Sequence, residues 1–257
     1  EGYGLGHTLD IHQSKFKGIL NVVDSKILNP DIDHYIPYQY SIDNIAVKAK
    51  NKQALRSRLL LQDAKKPLVA YIGRLDQQKG VHLVHHAIYY ALNQGAQFVL
   101  LGSATEPAIN DWFWHEKHYL NSHPDIHLEL SFNEELAHLI YAGADMMVVP
   151  SNYEPCGLTQ LISLKYGTVP IVRGVGGLVS TVFDRDYDPN KPPEKRNGYV
   201  FYQTNPHALE SAMERAIGLW YEYPKEFEQL VQQGMEYDYS WNNSGKQYLS
   251  IYEYIKW

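Results

Sequence analysis

The chain has 257 residues, of which 44% are apolar and 20% charged, and its formal net charge is −6 at pH 7. This composition is typical of a folded globular protein rather than a disordered chain, and no apolar run approaches the roughly 18 to 20 residues that cross a bilayer. The negative charge argues against nucleic acid or an anionic membrane as a partner. The single cysteine, Cys156, excludes an intrachain disulfide and suits a reducing compartment.

The first 66 residues do not show a regular alternation of strands and helices. A strand is predicted over residues 16–23, a polar loop rich in tyrosine follows, and a helix is predicted over residues 51–61. The start, residues 1–6, has the character of neither a signal nor a transit sequence. We interpret this part of the chain as an arm that leads into a sheet domain.

From residue 67 onward, short apolar strands alternate with amphipathic helices. Such alternation predicts an α/β fold, a parallel sheet with helices on both faces, and ligands then bind at the carboxyl ends of the strands. A final helix is predicted over residues 241–257, and residues 184–197, with three prolines, form a loop of low order. Strands are predicted at residues 67–72, 97–101, 126–130, 146–149, 169–172 and 199–202, and helices at 81–91, 112–120, 134–141, 157–166 and 178–183.

Two turns at the carboxyl ends of strands carry most of the charged residues of interest. Arg74 and Lys79 follow the first predicted strand, whereas Glu154 follows the fourth and precedes a helix predicted to begin near Pro155. A helix start offers unpaired N–H groups and the positive end of the helix dipole, which suits an anionic ligand. One carboxylate and two cations on such turns therefore predict a site for a sugar diphosphate.

Structural interpretations of the same residues stay open at this stage. Arg74 and Lys79 could form a solvated basic turn, and Glu154 could only complement a helix dipole, which is worth roughly 0.3 to 1 kcal/mol. Phe132, in the turn after the third predicted strand, could be core packing. A dinucleotide oxidoreductase is disfavoured because no Gly-x-Gly-x-x-Gly motif follows the first strand of the sheet.

The histidines His82, His85 and His86 recur at helical spacing. No carboxylate or cysteine completes a set of metal ligands with them in the sequence, so we interpret them as a hydrated helix face. No metal site is predicted.

A series of motifs, in this order and spacing, resembles one family closely: the ADP-glucose-dependent starch and glycogen synthases, glycosyltransferase family 5. Residues 85–88 and 181–184 are most similar to plant starch synthase classes three and four or to cyanobacterial relatives. The motifs lie at residues 18–21, 29–30, 73–75, 78–80, 101–103, 141–145, 154–161, 165–170, 176–178 and 239–241.

The resemblance implies a GT-B fold, in which two Rossmann-like domains face each other across a cleft. Residues 67–240 would form the second, nucleotide-sugar-binding domain, residues 1–66 an arm and the tail of a missing N-terminal domain, and residues 241–257 a C-terminal helix. The implied activity is retaining transfer of glucose from ADP-glucose to the non-reducing end of an α-1,4-glucan, without a cofactor. The compartment would be the plastid stroma in a plant and the cytoplasm in a bacterium.

The resemblance also implies roles for individual residues. Arg74 and Lys79 would hold the departing diphosphate and stabilise its developing charge. Glu154 would contact the transferred glucose, and Phe132 would stack on adenine. The substrate-binding groups would further include the backbone N–H groups of Cys156, Gly157 and Leu158, the hydroxyl of Thr159, and the amides of a second glycine turn at Gly176 and Gly177.

The sequence departs from the family pattern at three places. Gly174 and Val175 stand where a Lys or Arg and a Thr are usual, so a direct phosphate contact from those side chains is not expected. Residues 21–24 replace a usual Asn-Gly-Ile-Asp turn. Ile162 stands where many retaining glycosyltransferases carry a second glutamate, so only Glu154 is assigned a role.

Two alternative functions remain at this stage. The chain could be a non-catalytic module that binds ADP or glucan, or part of a UDP-glucose-dependent glucosyltransferase similar to sucrose synthase. The first would bind ADP weakly and transfer no glucose, and the second would bind UDP more tightly than ADP.

Overall fold

The computed structural model of the protein describes residues 4–255, and within them six strands form one parallel sheet. The strand order is β3-β2-β1-β4-β5-β6, so the order reverses between β1 and β4. The predicted α/β fold with a parallel sheet is confirmed. The strands are β1 (Leu68–Arg74), β2 (Gln97–Ser103), β3 (Ile126–Glu129), β4 (Met146–Val149), β5 (Val169–Arg173) and β6 (Tyr199–Phe201).

Helices connect the strands and extend the domain at both ends. None of the helices in the described residues is both long enough and apolar enough to span a membrane. The α-helices are α1 (Gly6–Ile11), α2 (Lys48–Leu59), α3 (Val81–Asn93), α4 (Pro107–Leu120), α5 (Glu134–Gly143), α6 (Thr159–Lys165), α7 (Pro206–Glu222), α8 (Pro224–Met235) and α9 (Trp241–Ile255). Short 3₁₀ turns lie at Gln13–Lys15, Ile42–Val47, Gly176–Leu178 and Pro193–Lys195.

The sheet is covered on both faces, as predicted. Successive side chains of a strand point to opposite faces, and β1 sends Val69 and Tyr71 into one core and Leu68 and Ala70 into the other. The first core is closed by α3, α4, α7 and α8, and the second by α2, α5 and α6. Helices α7 and α8 were not predicted, although Asn205 provides a cap for α7 by accepting a hydrogen bond from the Ala208 amide.

The N-terminal part of the chain differs from the prediction. Residues 16–23 do not form a strand, because no neighbouring strand pairs with them; instead the Val23 amide donates to the Tyr239 carbonyl at 2.9 Å. The Ser244 hydroxyl donates to the Leu20 carbonyl at 3.1 Å, so this segment runs beside the one that precedes and begins α9. The predicted helix at 51–61 is confirmed as α2, which packs into the second core.

A buried polar network fixes the loop before α2. The Asp33 carboxylate accepts hydrogen bonds from His138 Nδ1 at 2.7 Å and from the Tyr166 hydroxyl at 2.6 Å. Burial alone would raise the pKa of Asp33, but these bonds and the one from the Tyr35 amide outweigh it and lower the pKa. The network therefore ties this loop to α5 and to the end of α6.

Three further predictions need correction. The helix expected near Pro155 begins at Thr159, because a left-handed turn at Gly157 intervenes. The helix expected at 178–183 is only the 3₁₀ turn Gly176–Leu178. The loop 184–197 is organised around Arg196, whose guanidinium donates to the carbonyls of Arg185, Asp188 and Lys191.

The first three residues of the predicted arm and the last two of the predicted C-terminal helix lie outside the described residues.

Candidate active site

The two charged turns meet at the carboxyl edge of the sheet, between β1 and β4. The first connects β1 to α3 and the second connects β4 to α6. The strand order reverses between these two strands, and a reversal of this kind opens a crevice in which α/β proteins bind ligands. The sheet topology therefore places Arg74, Lys79 and Glu154 at one crevice, as predicted.

A close backbone contact joins the two turns. Gly80 has φ of +73°, and a Cβ atom there would lie 2.2 Å from the Pro150 carbonyl oxygen. Beside this contact, the amides of Asn152 and Tyr153 both donate to the Gln78 carbonyl, at 2.8 and 3.3 Å. Only glycine permits this approach, so Gly80 sets the distance between the two turns.

Lys79 and Glu154 form the centre of the site. The Lys79 Nζ lies 2.5 Å from Glu154 Oε2, and the two side chains are 23% and 8% exposed. The Ser151 hydroxyl donates to the same carboxylate oxygen at 2.9 Å. Within the described residues no hydrogen bond uses Glu154 Oε1, so one oxygen remains free to accept from a ligand.

Arg74 is close to this pair but does not contact it. Its guanidinium lies 2.7 Å from Asp76 Oδ2, and its side chain is 60% exposed. Asp76 Oδ1 accepts from the Lys79 backbone amide at 2.8 Å, so Asp76 ties the Arg74 guanidinium to the backbone of the first turn. Asp76 was not predicted as a site residue. Its position between the cations Arg74 and Lys79 in the sequence could have indicated it.

Tyr71 lies beneath the first turn and donates from its hydroxyl to the Arg74 carbonyl at 2.6 Å. Burial raises the pKa of the Tyr71 hydroxyl strongly, and the nearby Asp76 and Glu154 carboxylates raise it further. Tyr71 is therefore a neutral support for the turn.

Phe132 lies at the rim of a cleft of about 380 Å³ that Arg74 also lines. Its side chain is 90% exposed, so the interpretation of Phe132 as core packing is wrong. Gly73 and Gly102 form part of the cleft wall, and a Cβ atom on Gly102 would lie 2.5 Å from the Gly73 carbonyl oxygen. The lining of the cleft thus combines bare backbone with an exposed aromatic ring.

The loop before α6 presents backbone N–H groups. The Gln160 side chain donates to the carbonyls of Cys156 and Gly157, at 2.9 and 3.1 Å, which draws both carbonyls inward. No hydrogen bond of residues 4–255 uses the amides of Cys156, Gly157 or Leu158. These three amides are therefore unengaged within the described residues, and their use by a ligand stays a prediction. Thr159 follows as the first residue of α6.

The Cys156 side chain faces the arm. Its Sγ atom accepts a hydrogen bond from the Asn21 amide at 3.3 Å. This contact connects the loop that carries Glu154 with the segment that precedes the sheet domain.

The second glycine turn supports the Glu154 loop from beneath. A Cβ atom on Gly176 would lie 2.0 Å from the Glu154 carbonyl oxygen, and one on Gly177 would lie 2.3 Å from the Cys156 carbonyl oxygen. The Gly177 amide donates to the Glu154 carbonyl at 2.9 Å. This amide is therefore engaged within the protein, contrary to the expectation that it is offered to phosphate or glucose.

Arg173, at the end of β5, is a site residue that the sequence interpretation missed. Its Nη1 donates to the carbonyls of Ser151 and Asn152, at 3.1 and 3.0 Å, and its Nε donates to the Tyr202 carbonyl at 3.2 Å. It thereby joins the segments that follow β4 and β6. The sequence feature that could have identified Arg173 is its position as a cation at the end of a predicted strand, just before the glycine turn.

The histidines of α3 do not form a metal site. His85 lies 3.3 Å from Glu116, and His86 lies 2.8 Å from Glu210. Within residues 4–255 there is no group of three or more His, Cys, Asp or Glu side chains that could hold a metal ion.

Comparisons with known sequences agree with this geometry. The family model described as "Glycosyl transferases group 1" matches residues 52–234. The chain is 72% identical over 256 residues to Glycogen synthase 1 of Trichormus variabilis, covering 100% of this chain and 52% of that protein. It is 57% identical to Glycogen synthase 1 of Nitrosococcus oceani, again over 100% of this chain and 52% of that protein. The chain thus spans about half the length of the curated relatives it matches.

Solved structures show the same fold. The catalytic domain of Starch Synthase IV from Arabidopsis thaliana, bound to ADP and acarbose, matches with a TM-score of 0.94 and 41% identity over 98% of this chain and 51% of that chain. A sucrose-phosphate synthase from Thermosynechococcus elongatus, at 23% identity and a TM-score of 0.66 over 97% of this chain and 55% of that chain, shares the fold. The starch synthase and glycogen synthase matches confirm the resemblance to that family and the GT-B type of fold.

Proposed function

The chain belongs to the group 1 glycosyl transferases, and from that premise we propose that it is the donor-binding half of an α-1,4-glucan synthase. The whole protein transfers glucose, with retention of configuration, from ADP-glucose to the non-reducing end of the glucan. The Lys79–Glu154 pair carries this proposal, because it places a cation and a carboxylate side by side at the crevice, next to a loop with three amides that make no hydrogen bond within residues 4–255.

The charges of Lys79 and Glu154 suit the two groups that separate in the reaction, the diphosphate and the sugar. The bond between the anomeric carbon and the diphosphate breaks, and the acceptor oxygen bonds to that carbon on the same face. The departing diphosphate takes the proton of the acceptor hydroxyl. Lys79 and Arg74 stabilise the charge that develops on the diphosphate, while Glu154 holds the sugar, on which positive charge develops.

The nucleotide is assigned to the cleft beside Phe132. An exposed aromatic ring at a cleft rim is suited to stacking on a base, and Arg74 at the same cleft would then lie near the phosphates. The Arabidopsis starch synthase of nearly identical fold was bound to ADP, which supports adenine as the base. The free amides of Cys156, Gly157 and Leu158 and the Thr159 hydroxyl serve the sugar and phosphate.

The second half of the enzyme is the partner that the chain requires. Residues 67–240 form the nucleotide-sugar domain in this proposal, and residues 1–66 and 241–257 adjoin the other domain. Leu5, Ile11 and Phe16 on the arm, with Trp241 and Tyr252 on α9, are exposed and would be covered by it. The bacterial relatives favour the cytoplasm over the plastid stroma.

The test uses the full-length protein that contains this chain. Transfer of labelled glucose from ADP-glucose to maltoheptaose is measured, and ADP and UDP binding are compared by calorimetry. We expect transfer and tighter binding of ADP. Binding of ADP without transfer would instead identify a binding module, and tighter binding of UDP would refute the donor assignment.

A further inference from the structure

A second groove, of about 640 Å³, lies at the carboxyl end of β6 between the loop 184–197 and the start of α7. Val179, the residue after the 3₁₀ turn Gly176–Leu178, is among its lining residues. The groove therefore borders the glycine turn that packs against the Glu154 loop.

Two tyrosine rings in this groove are exposed but held in place. Tyr187 and Tyr202 are 73% and 65% exposed. The Arg215 guanidinium lies 4.8 Å from the centre of the Tyr187 ring, and the Tyr202 ring packs so closely on Gly174 that a Cβ there would lie 2.5 Å from it. Rings held in this way can stack on a ligand without a large loss of side-chain entropy.

The loop that carries Tyr187 is ordered by two side chains. The Asp184 carboxylate accepts from the Tyr187 amide at 3.1 Å and from Arg215 at 2.9 and 3.0 Å. Arg196 holds the rest of the loop through its bonds to backbone carbonyls. The groove wall is thus formed before any ligand arrives.

Polar side chains in the groove are free to bind a ligand. Within the part of the chain that the structure describes, no hydrogen bond uses the side-chain amides of Asn190 and Gln203 or the Ser211 hydroxyl, and all three residues line the groove. Amides and hydroxyls can both donate and accept, as the hydroxyl groups of a sugar require.

The charges in the groove disfavour an anionic ligand. Its arginine, Arg215, is already neutralised by Asp184 and by Asp186, which lies 2.7 Å away. Asp188 adds a carboxylate to the lining. A phosphate or a nucleic acid would therefore meet negative charge, whereas an uncharged ligand with apolar faces and hydroxyl edges would not.

We infer that this groove binds a neutral α-1,4-glucan chain, with Tyr187 and Tyr202 stacking on sugar rings and Asn190 and Gln203 bonding to sugar hydroxyls. The identity of the glucan rests on the proposed function. The groove holds the polymer beside the site that extends it, outside the crevice that holds the donor.

The test is native electrophoresis of the full-length protein in gels that contain glycogen, without ADP-glucose. Tyr187→Ala should weaken apparent binding of glycogen roughly three- to tenfold, the range expected for one lost aromatic contact. Gln203→Ala should weaken it by about the same factor, the range expected for one lost hydrogen bond. Tyr187→Phe should keep it, because stacking uses the ring and not the hydroxyl. Tyr119→Ala, which removes an exposed ring on α4 outside the groove, is the matched control.

The outcomes separate this inference from the proposed function. Retention in glycogen gels that depends on Tyr187 supports the groove even if no glucose is transferred. Transfer to maltotriose with retention unchanged in both Tyr187→Ala and Gln203→Ala overturns the groove and leaves the proposed function intact. Thermal unfolding of each variant is measured first, and Gln203→Ala, an exposed side chain, keeps the test decisive if Tyr187→Ala does not fold.

Discussion

Gly176 lies directly against the backbone of Glu154, at a distance that leaves no room for a side chain between them. A Cβ atom on Gly176 would be 2.0 Å from the Glu154 carbonyl oxygen, and the φ angle of Gly176 is +50°. The glycine turn is therefore part of the structure that positions the loop carrying Glu154.

We expect Gly176→Ala to lower both stability and transfer. The strained backbone costs about 1 to 2 kcal/mol and the overlap with Glu154 typically a further 1 to 3 kcal/mol. The loop would have to move, which displaces Glu154. The measurements are the free energy of unfolding in urea and kcat for glucose transfer.

Gly218→Ala is the matched control for this prediction. Gly218 lies in α7 with open space around it, so alanine should stabilise the helix by roughly 0.5 to 1 kcal/mol. If Gly176→Ala is as stable and as active as the parent protein, the supporting role of the glycine turn is wrong.

Lys79→Met should reduce kcat by roughly two to three orders of magnitude, the usual cost of removing one group that stabilises developing charge. The substitution keeps the length of the side chain and removes only its cation and hydrogen-bond donors. Single-turnover transfer from ADP-glucose to maltoheptaose measures it. Lys117→Met, whose Nζ lies 3.2 Å from Glu129, serves as the control, and equal losses in both variants would contradict the assignment.

Phe132→Ala should weaken ADP binding by about 1 to 3 kcal/mol, the range for one lost stacking contact with a base, whereas Phe132→Trp should retain it. Because Phe132 is 90% exposed, the stability of the fold should not change. Calorimetric titration with ADP and thermal unfolding test the two expectations together. A large fall in melting temperature with unchanged ADP affinity would show that Phe132 stabilises the fold and does not stack on the base.

Arg173→Met should lower kcat more than it weakens ADP binding. The substitution removes donors from the carbonyls of Ser151, Asn152 and Tyr202, so it loosens the loop that carries Glu154 without touching the base. The readout is the change in kcat compared with the change in KM for ADP-glucose. Arg58→Met removes an arginine with an exposed partner, Glu135, and should have little effect on either constant.

Stability should fall in acid because of Asp184. Burial alone would raise the pKa of this carboxyl, but hydrogen bonds from Arg215 and the Val200 amide outweigh it and lower the pKa. A lowered pKa in the folded state means that the ionised carboxylate stabilises the fold above its ordinary pKa of about 3.9, and that this contribution is lost as the pH falls through the folded value.

Asp184→Asn should therefore destabilise the protein at pH 7 by roughly 1.5 to 3 kcal/mol, the range for lost hydrogen bonds to a charged group, because Arg215 keeps Asp186 as a partner. It should also flatten the dependence of stability on pH below about 4. Unfolding in urea between pH 3 and pH 7 measures both effects. Asp111→Asn, which changes an exposed residue of α4, provides the comparison. If the unfolding free energies of the two variants depend on pH in the same way, Asp184 is not the source of the loss of stability in acid.

The sheet was predictable because its strands are short apolar runs that end in polar turns. All six strands and the first helices between them lie within a few residues of their predicted positions. Residues 16–23 were misjudged for a physical reason: their apolar character is real, but whether an extended segment becomes a strand depends on a partner that local sequence does not supply. The start of α7 could have been predicted, because Asn205 is a favoured helix-capping residue and Pro206 a favoured first residue of a helix.

The candidate site was predictable at its centre and less so around it. Charged residues after neighbouring strands of a parallel sheet must share one edge, which is why Lys79 and Glu154 could be assigned together. The contacts of Arg173 and the close packing of Gly176 depend on distances between loops far apart in sequence. Such distances follow from the whole fold and not from any local pattern.

The paired contacts of Val23 with Tyr239 and of Leu20 with Ser244 have a mechanical consequence. They bring the chain's entry into the sheet domain and its exit toward α9 to the same corner. A neighbouring body attached through both segments would therefore be anchored at one corner of the sheet domain and not at two separate places. The Asn21 amide donates to Cys156 Sγ at this corner, so a displacement of the entering segment would be transmitted to the loop that carries Glu154.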